Sequence, residues 1–342
     1  MACSNPTIII ERNVPFLDRL SDVASIKYLP YRDITADAVR DADALIVRTR
    51  NKCDAALLEG SRVSFIGTAT IGTDHIDLPW CRAHGIEVVN APGSNAPAVA
   101  QYVICSMAQT INRPLKTYTL GIVGVGNVGR IVERWARSIG MQVILCDPPR
   151  QRAEGGDQWC TLADIAVHAD IITFHTPYTT EGPDATHHLA DAAFFNSLKR
   201  APIIINSARG PVVDNAAWID AIKAGIVGDA VIDCWEGEPS INTELLGLAT
   251  IATPHIAGYS LAGKQRASLM VMQALCRHFG LPEVQLMGSP IPPVADDITV
   301  SAAVESYDPL DDTDTLKANP LAFELLRNSY ALRPEISEAL EN

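Results

Sequence analysis

The sequence predicts an α/β protein of two parallel-sheet lobes, Rossmann-like and flavodoxin-like, followed by a small C-terminal appendage. Three observations predict it. Short apolar runs alternate with helical patterns in two separate blocks, the signature of βαβ units. In the second block, Gly124-Val-Gly126-Asn-Val-Gly129 stands directly between a strand pattern and a helix pattern. From Leu281 onward the alternation ceases, with prolines at 282, 290, 292 and 293 and then a run of acidic residues.

Taken in order, the first block reads as strands Thr7–Ile10, Ala44–Val47, Val63–Ala69 and Glu87–Asn90, with helix-like stretches Val14–Val23 and Asp54–Gly60 between them. Ala96–Ile111 has helical spacing and no internal glycine, which suits a connector between lobes. The second block reads as strands Thr119–Val123, Gln142–Cys146, Ile171–Phe174, Pro202–Asn206, Ala230–Cys234 and Thr250–Ala252. The long helical stretch Ser260–Phe279 then returns the chain to the first lobe, making that lobe discontinuous. The expected units are 1–97 with 260–282, then 98–259, then 283–342. In the last, Leu321–Leu332 reads as a short amphipathic segment within a solvated acidic stretch.

The 342 residues carry 27 Lys and Arg against 40 Asp and Glu, a net charge of −13. That sign excludes nucleic acid as a partner, because phosphate backbones are bound by displacing counterions with cations. The charge is unevenly placed: 283–342 holds 12 acidic and three basic residues, a net −9, which leaves −4 for the rest. The N-terminus lacks the pattern of a secretory signal, and no apolar run reaches the roughly 18 residues of a membrane helix, so a cytoplasmic protein with no membrane partner is expected. Eight scattered cysteines read as reduced thiols. His187-His188 lacks i, i+4 spacing and a clear partner, so no metal site is expected.

The glycine motif has the chemistry of a dinucleotide site. The first glycine permits a tight turn, the second lets the backbone approach a pyrophosphate, and the third lets helix and strand pack closely. Gly124, Gly126, Asn127, Val128 and Gly129 are therefore cofactor candidates, with phosphates facing the unpaired N–H groups of the helix N-terminus. Asp147, 18 residues beyond Gly129, ends the next strand and is placed to accept hydrogen bonds from ribose hydroxyls, selecting NAD over NADP. Arg150 and Arg152 are close enough in sequence to soften that preference.

Three more polar residues fall at the ends of successive strands of the same lobe: Arg209 in Asn206-Ser-Ala-Arg-Gly210, Glu238 in Asp233-Cys-Trp-Glu-Gly-Glu-Pro239, and His255 in Pro254-His-Ile-Ala-Gly-Tyr259. Ligands of open parallel sheets sit beyond the carboxyl ends of the strands, so the three can converge. An imidazole suits removal of a hydroxyl proton, a carboxylate fixes its tautomer, and an Arg fork clamps a neighbouring carboxylate. The duller alternatives are a satisfied structural histidine and an ordinary Arg209–Glu238 ion pair. His75 reads as a loop anchor and His175 as a wall of the cofactor pocket.

The series GIVGVGNVGR, CDPP, FHTP, INSARG, DCWEGEP and PHIAGY resembles the D-2-hydroxyacid dehydrogenase family, in order and at matching spacing. Gly67-Thr-Ala-Thr-Ile-Gly-Thr-Asp-His-Ile-Asp77, Val47-Arg48-Thr49, Pro148-Pro149 and His255-Ile-Ala-Gly-Tyr-Ser-Leu-Ala-Gly-Lys264 point to a subgroup acting on a phosphorylated sugar acid. The resemblance covers residues 7–280 and continues weakly to about Arg333. It implies that Arg209, Glu238 and His255 are catalytic, that Asp147, Thr176, Asp233 and Gly258 contact NAD, and that Thr49, Thr70 and Tyr259 contact substrate, with Arg48 adding charge. The implied activity is NAD-dependent oxidation of 4-phospho-D-erythronate at C2 in pyridoxal phosphate synthesis, by a homodimer. The alternatives are a phosphoglycerate dehydrogenase, a hydroxypyruvate reductase, or an NADH-sensing corepressor on the same fold. Two departures stand out: Gln101 replaces the family's usual Glu on a structural helix, and the tail is shorter than the subgroup's dimerisation domain.

Overall fold

A computed structural model describes residues 5–287 and 290–336. The chain divides into two units, one running through Asn95 and resuming over Leu261–Pro292, the other comprising Ala96–Ser260 and the chain from Pro293 onward. The first holds a five-stranded sheet: β1 (Thr7–Glu11), β2 (Ser25–Leu29), β3 (Ala44–Val47), β4 (Phe65–Thr68) and β5 (Glu87–Val89), in the order β2-β1-β3-β4-β5. All its pairings are parallel. The strand order reverses direction between β1 and β3, so the chain after β3 enters the crevice where such sheets take ligands. Arg48 and Thr49 are that chain. The helix Leu261–Phe279 covers one face through Val271, Met272 and Leu275.

The second unit carries six parallel strands: β6 (Thr119–Val123), β7 (Gln142–Cys146), β8 (Ile171–Phe174), β9 (Ile203–Asn206), β10 (Asp229–Ile232) and β11 (Ile251–Ala252), in the order β11-β10-β9-β8-β6-β7. Each strand from β8 to β10 is almost wholly buried, as expected of a sheet covered on both faces. Here the switch falls between β6 and β8. No helix among the described residues is long and apolar enough to cross a membrane.

Three expectations change. Val14–Val23 is not a helix: Pro15 and the positive φ of Phe16 break the pattern, and only a 3-10 turn, Asp18–Asp22, forms. The strand Ser25–Leu29 was not anticipated, because an edge strand paired only to β1 is held by its ladder and lacks a buried alternating face. The acidic C-terminal stretch forms helices Val300–Ser306, Pro309–Ala318 and Phe323–Asn328, whose Ala303, Leu316 and Phe323 are fully buried in the cores flanking the six-stranded sheet. Asp308 caps the helix Pro309–Ala318, whereas Glu335 is buried and accepts from Ser260 Oγ. The helix Ala96–Thr110 lies within this unit, buried from Ala96 to Met107, since the C-terminal helices cover the face left by the helix Asn127–Ser138.

Candidate active site

At the switch point the glycine motif follows β6. Gly124 has φ +89°, and a Cβ there would fall 2.8 Å from the backbone of His175 and Thr176, which leave the end of β8. A Cβ on Gly129 would fall 2.2 Å from the Gly124 carbonyl oxygen, so helix and turn pack backbone to backbone. Gly126, by contrast, faces open space with no atom within 4 Å of a Cβ position. Tight turn, close packing and an open approach to the N-terminus of the helix Asn127–Ser138 are the three properties a pyrophosphate cradle needs. Asn127 is exposed there and Val128 half-buried.

Asp147 braces this turn from the end of β7. Its Oδ2 accepts from the Val125 N–H at 2.8 Å and its Oδ1 from the Arg150 N–H at 3.0 Å. Each oxygen keeps a lone pair for a ribose hydroxyl. Arg150 is ion-paired with Glu154 at 2.7 Å and donates to the Val125 carbonyl, while Arg152 is ion-paired with Asp184. Both guanidiniums are therefore neutralised locally, which removes the reason to expect a softened preference for NAD.

Three buried polar atoms around the strand ends lack a protein partner: His175 Nδ1, Thr176 Oγ1 and Ser207 Oγ. Such orphans are costly unless something satisfies them. They stand after β8 and β9, next to the open glycine turn, and fit a ligand bearing hydroxyl and amide groups, as NAD does. Burial pushes the His175 pKa down to about 3, so this ring stays neutral and is a wall of the site with no role in proton exchange.

The proton-handling end is built on β9, β10 and β11. Asn206 donates from its side chain to the Arg209 carbonyl at 3.0 Å and holds the turn that carries Arg209. Beyond β10, the buried Asp233 gathers three donors on Oδ1: Thr253 Oγ1 at 2.7 Å, the Ile256 N–H at 2.7 Å and the Ala257 N–H at 3.0 Å. Burial raises the Asp233 pKa, with His255 and these donors acting in the opposite sense. Its Oδ2 meets only the Cys234 thiol, at 3.8 Å. The strapped loop holds His255 at φ +57°, in the left-handed region, with its N–H on the Asp233 carbonyl. Strain of this kind persists only where the surroundings over-determine it.

His255 Nδ1 lies 2.8 Å from Glu238 Oε2 and 3.1 Å from Oε1, and Oε1 also accepts from the Trp235 N–H at 2.8 Å. Burial works to raise the Glu238 pKa, but His255 and these hydrogen bonds outweigh it and hold the carboxyl below its ordinary range. With Nδ1 engaged, Nε2 is the ring nitrogen left to exchange a proton with a ligand. Arg209 folds back onto the Ala208 carbonyl at 2.8 Å, and among the described residues it makes no ion pair with Glu238.

Instead, Glu238 meets a cation that the sequence reading did not single out: Arg327, from the helix Phe323–Asn328, with Nη1 3.7 Å from Oε2. Arg327 also bonds the side chain of Tyr259. A second unanticipated arginine, the fully buried Arg333, donates to the carbonyls of Ile256, Ala257 and Tyr259, in the loop that holds Gly258, and to that of Ala98. Gln101 receives Arg333 Nε at 3.4 Å and donates to Ser306 Oγ and the Pro334 carbonyl. The departure at Gln101 thus belongs to the docking of the C-terminal segment. No motif flags these residues, since a lone Arg in an acidic tail reads as a solvated charge.

The remaining candidates lie in the first unit and are described within it. Thr49 is exposed and Arg48 half-buried after β3. Thr70 Oγ1 sits 2.6 Å from Thr68 Oγ1 and bonds the Gly72 carbonyl at 3.3 Å. The His75 carbonyl accepts from the Cys53 N–H, while both of its buried ring nitrogens lack a partner. His188 does have partners, contrary to expectation. Its Nε2 lies 2.7 Å from Glu236 Oε1 and its Nδ1 3.6 Å from Asp214 Oδ2, so the ring bridges two loops. The seven described cysteines are free thiols, and burial pushes Cys53, Cys105 and Cys146 up to about 12. Cys3 lies outside the described residues.

A dinucleotide cradle beside a His–Glu pair on one parallel sheet defines an NAD-dependent dehydrogenase. Residues 94–257 match the model of the NAD-binding domain of D-isomer specific 2-hydroxyacid dehydrogenases. The chain belongs to that family and is an NAD-dependent oxidoreductase acting on a CH–OH group. It is 46% identical over 336 residues to an erythronate-4-phosphate dehydrogenase of Bacteroides fragilis, covering 96% of this chain and 97% of that one. A relative of the same name from Porphyromonas gingivalis is 44% identical over 94% of this chain and 92% of its own. A relative of the same name from Klebsiella pneumoniae is 40% identical over 95% of this chain and 86% of its own. Among solved structures, D-lactate dehydrogenase from Aquifex aeolicus, complexed with NAD and lactic acid, superimposes with a TM-score of 0.67 at 25% identity, covering 80% of this chain and 96% of that one.

Proposed function

We propose that the chain oxidises 4-phospho-D-erythronate at C2 with NAD, in pyridoxal phosphate synthesis. The observation that carries the chemistry is the His255–Glu238 pair, 2.8 Å apart on a strapped loop beside the glycine cradle. Neutral His255 takes the hydroxyl proton on Nε2, and Glu238 stabilises the imidazolium that forms. Arg209 holds the substrate carboxylate through its planar fork and polarises the growing carbonyl. Bound NAD supplies the acceptor for the hydride leaving C2. Gly126, in the turn shaped by Gly124 and Gly129, would hold its pyrophosphate, Asp147 its ribose, and Thr176, Asp233 and Gly258 its nicotinamide end. Thr49, Thr70, Tyr259 and Arg48 are assigned to substrate: hydroxyl and cationic groups suit a phosphorylated acid, and Arg48 and Thr49 leave the sheet at its switch point. The names of the relatives at 44–46% identity support this substrate.

The protein is further proposed to be a cytoplasmic homodimer. The C-terminal segment supports the dimer by leaving Leu321 98% and Leu325 67% exposed, whereas the helix Ala96–Thr110, an expected dimer element, is already covered. The substrate is tested by NADH fluorescence with 4-phospho-D-erythronate, 3-phosphoglycerate and unphosphorylated hydroxy acids side by side. A higher kcat/KM on 3-phosphoglycerate or an unphosphorylated acid overturns the assignment.

A further inference from the structure

The catalytic carboxylate has one more charged neighbour than acid–base chemistry requires. Glu238 already receives His255 on both oxygens and the Trp235 N–H on one. Arg327 Nη1 approaches Oε2 only to 3.7 Å, beyond hydrogen-bond reach, so the contact is Coulombic and leaves most guanidinium donors uncommitted to Glu238. The Arg327 side chain is nonetheless only 23% exposed. Withdrawing a guanidinium from water is expensive and is offset by counter-charge. Half a carboxylate shared with an imidazole, together with the Tyr259 side chain, is a meagre offset.

Arg327 and Arg209 are two cations beside Glu238, and such a pair suits a ligand with two anionic groups. If Arg209 takes the carboxylate next to the reacting carbon, the other cation is left for the second anion. Arg327 lies 70 residues beyond the end of the family model at residue 257, on a helix that the C-terminal segment brings to the site. A cation outside the part common to the family is well placed to set which member of a substrate series is accepted.

We propose that Arg327 is a specificity-determining residue that binds the phosphate of the substrate, with Tyr259 holding the guanidinium in place. This rests on the reading above that the substrate is a phosphorylated hydroxy acid. The test compares wild type, Arg327→Gln and Arg327→Lys on 4-phospho-D-erythronate and on D-erythronate, following NADH, with NADH affinity measured on each protein as a check of folding. The expected result is a fall in kcat/KM on the order of 100-fold for Arg327→Gln on the phosphorylated acid. On the unphosphorylated acid, where only the contact with Glu238 is lost, the same variant falls by about tenfold less, and Arg327→Lys recovers part of the loss as a point charge. Equal losses on both acids, or no loss on either, overturn the inference while the substrate reading stands. A wild type that prefers D-erythronate overturns the reading and the inference together. If Arg327→Gln fails to bind NADH, Arg327→Lys decides: a loss larger on the phosphorylated acid supports the inference, and equal losses overturn it.

Discussion

Arg333 Nη1 donates to the carbonyl of Ile256 at 3.0 Å, tying the C-terminal segment to the residue that follows His255. The same guanidinium reaches Ala257 and Tyr259 and stacks 4.3 Å over the Tyr307 ring. Asp233 straps this loop from beneath, through the N–H groups of Ile256 and Ala257, and Arg333 straps it through their carbonyls.

Arg333→Met is therefore expected to cost stability and rate together. Stranding buried carbonyls and emptying a fork should lower the unfolding free energy by about 3 kcal/mol. Thermal unfolding and kcat measured on one preparation check it. Wild-type turnover in a destabilised variant would show that the loop does not need this clamp.

His255→Asn keeps a residue that tolerates positive φ while removing the base. Turnover should fall by about 10²- to 10⁴-fold. NADH affinity, from fluorescence titration, should stay within a factor of about two, because the cradle is built elsewhere on the sheet. Retention of more than a tenth of wild-type turnover would sink the role assigned to His255.

Glu238 gives a pH test of defined sign. Its carboxyl is held below the ordinary value in the folded protein, so its contribution to stability is present above the unfolded-state value, about 4.5, and is lost as pH falls through the lowered folded value. Below about pH 5, the stability gap between wild type and Glu238→Gln should shrink as pH falls toward the lowered folded value. A gap that widens below about pH 5 would contradict the direction.

The glycine cradle separates binding from folding. Gly126→Ala adds a methyl group where no protein atom lies within 4 Å, so thermal stability should be unchanged while NADH affinity falls about tenfold or more. Gly129→Ala puts a Cβ 2.2 Å from the Gly124 oxygen and should lower both. Equal NADH affinity in wild type and Gly126→Ala would show that the pyrophosphate does not pass over this turn.

The thiols should be inert. With Cys53, Cys105 and Cys146 buried and pushed up to about 12, a disulfide reagent at neutral pH should leave these three untouched until denaturant is added. Mass mapping of the modified residues checks this.

The glycine motif, Asp147, Glu238 and His255 were legible in the sequence because each sits where a strand ends, and strand ends in a parallel sheet are set by local apolar periodicity. The edge strand Ser25–Leu29 and the turn replacing Val14–Val23 were not, because pairing with β1 and a positive φ at Phe16 are not encoded as a hydrophobic period. The C-terminal helices escaped notice for a related reason. Their buried residues are few, and what they bury against lies far back in the sequence: β11 and the helix Ala96–Thr110 for the helix Pro309–Ala318.

By itself, the sequence determined two parallel sheets and a dinucleotide turn, and it placed Glu238 and His255 beyond strand ends, since periodicity and spacing along the chain are enough to locate strand ends and glycine turns. Only the tertiary structure decided which charges meet. Glu238 pairs with His255 and Arg327, leaving Arg209 to its own loop, and the acidic tail delivers Arg327 to Glu238 and Arg333 to the loop after His255. The physical reason is that a charge is assigned a partner by distance in three dimensions. The net −9 of the C-terminal stretch described its surface and gave no sign of the two cations it carries inward.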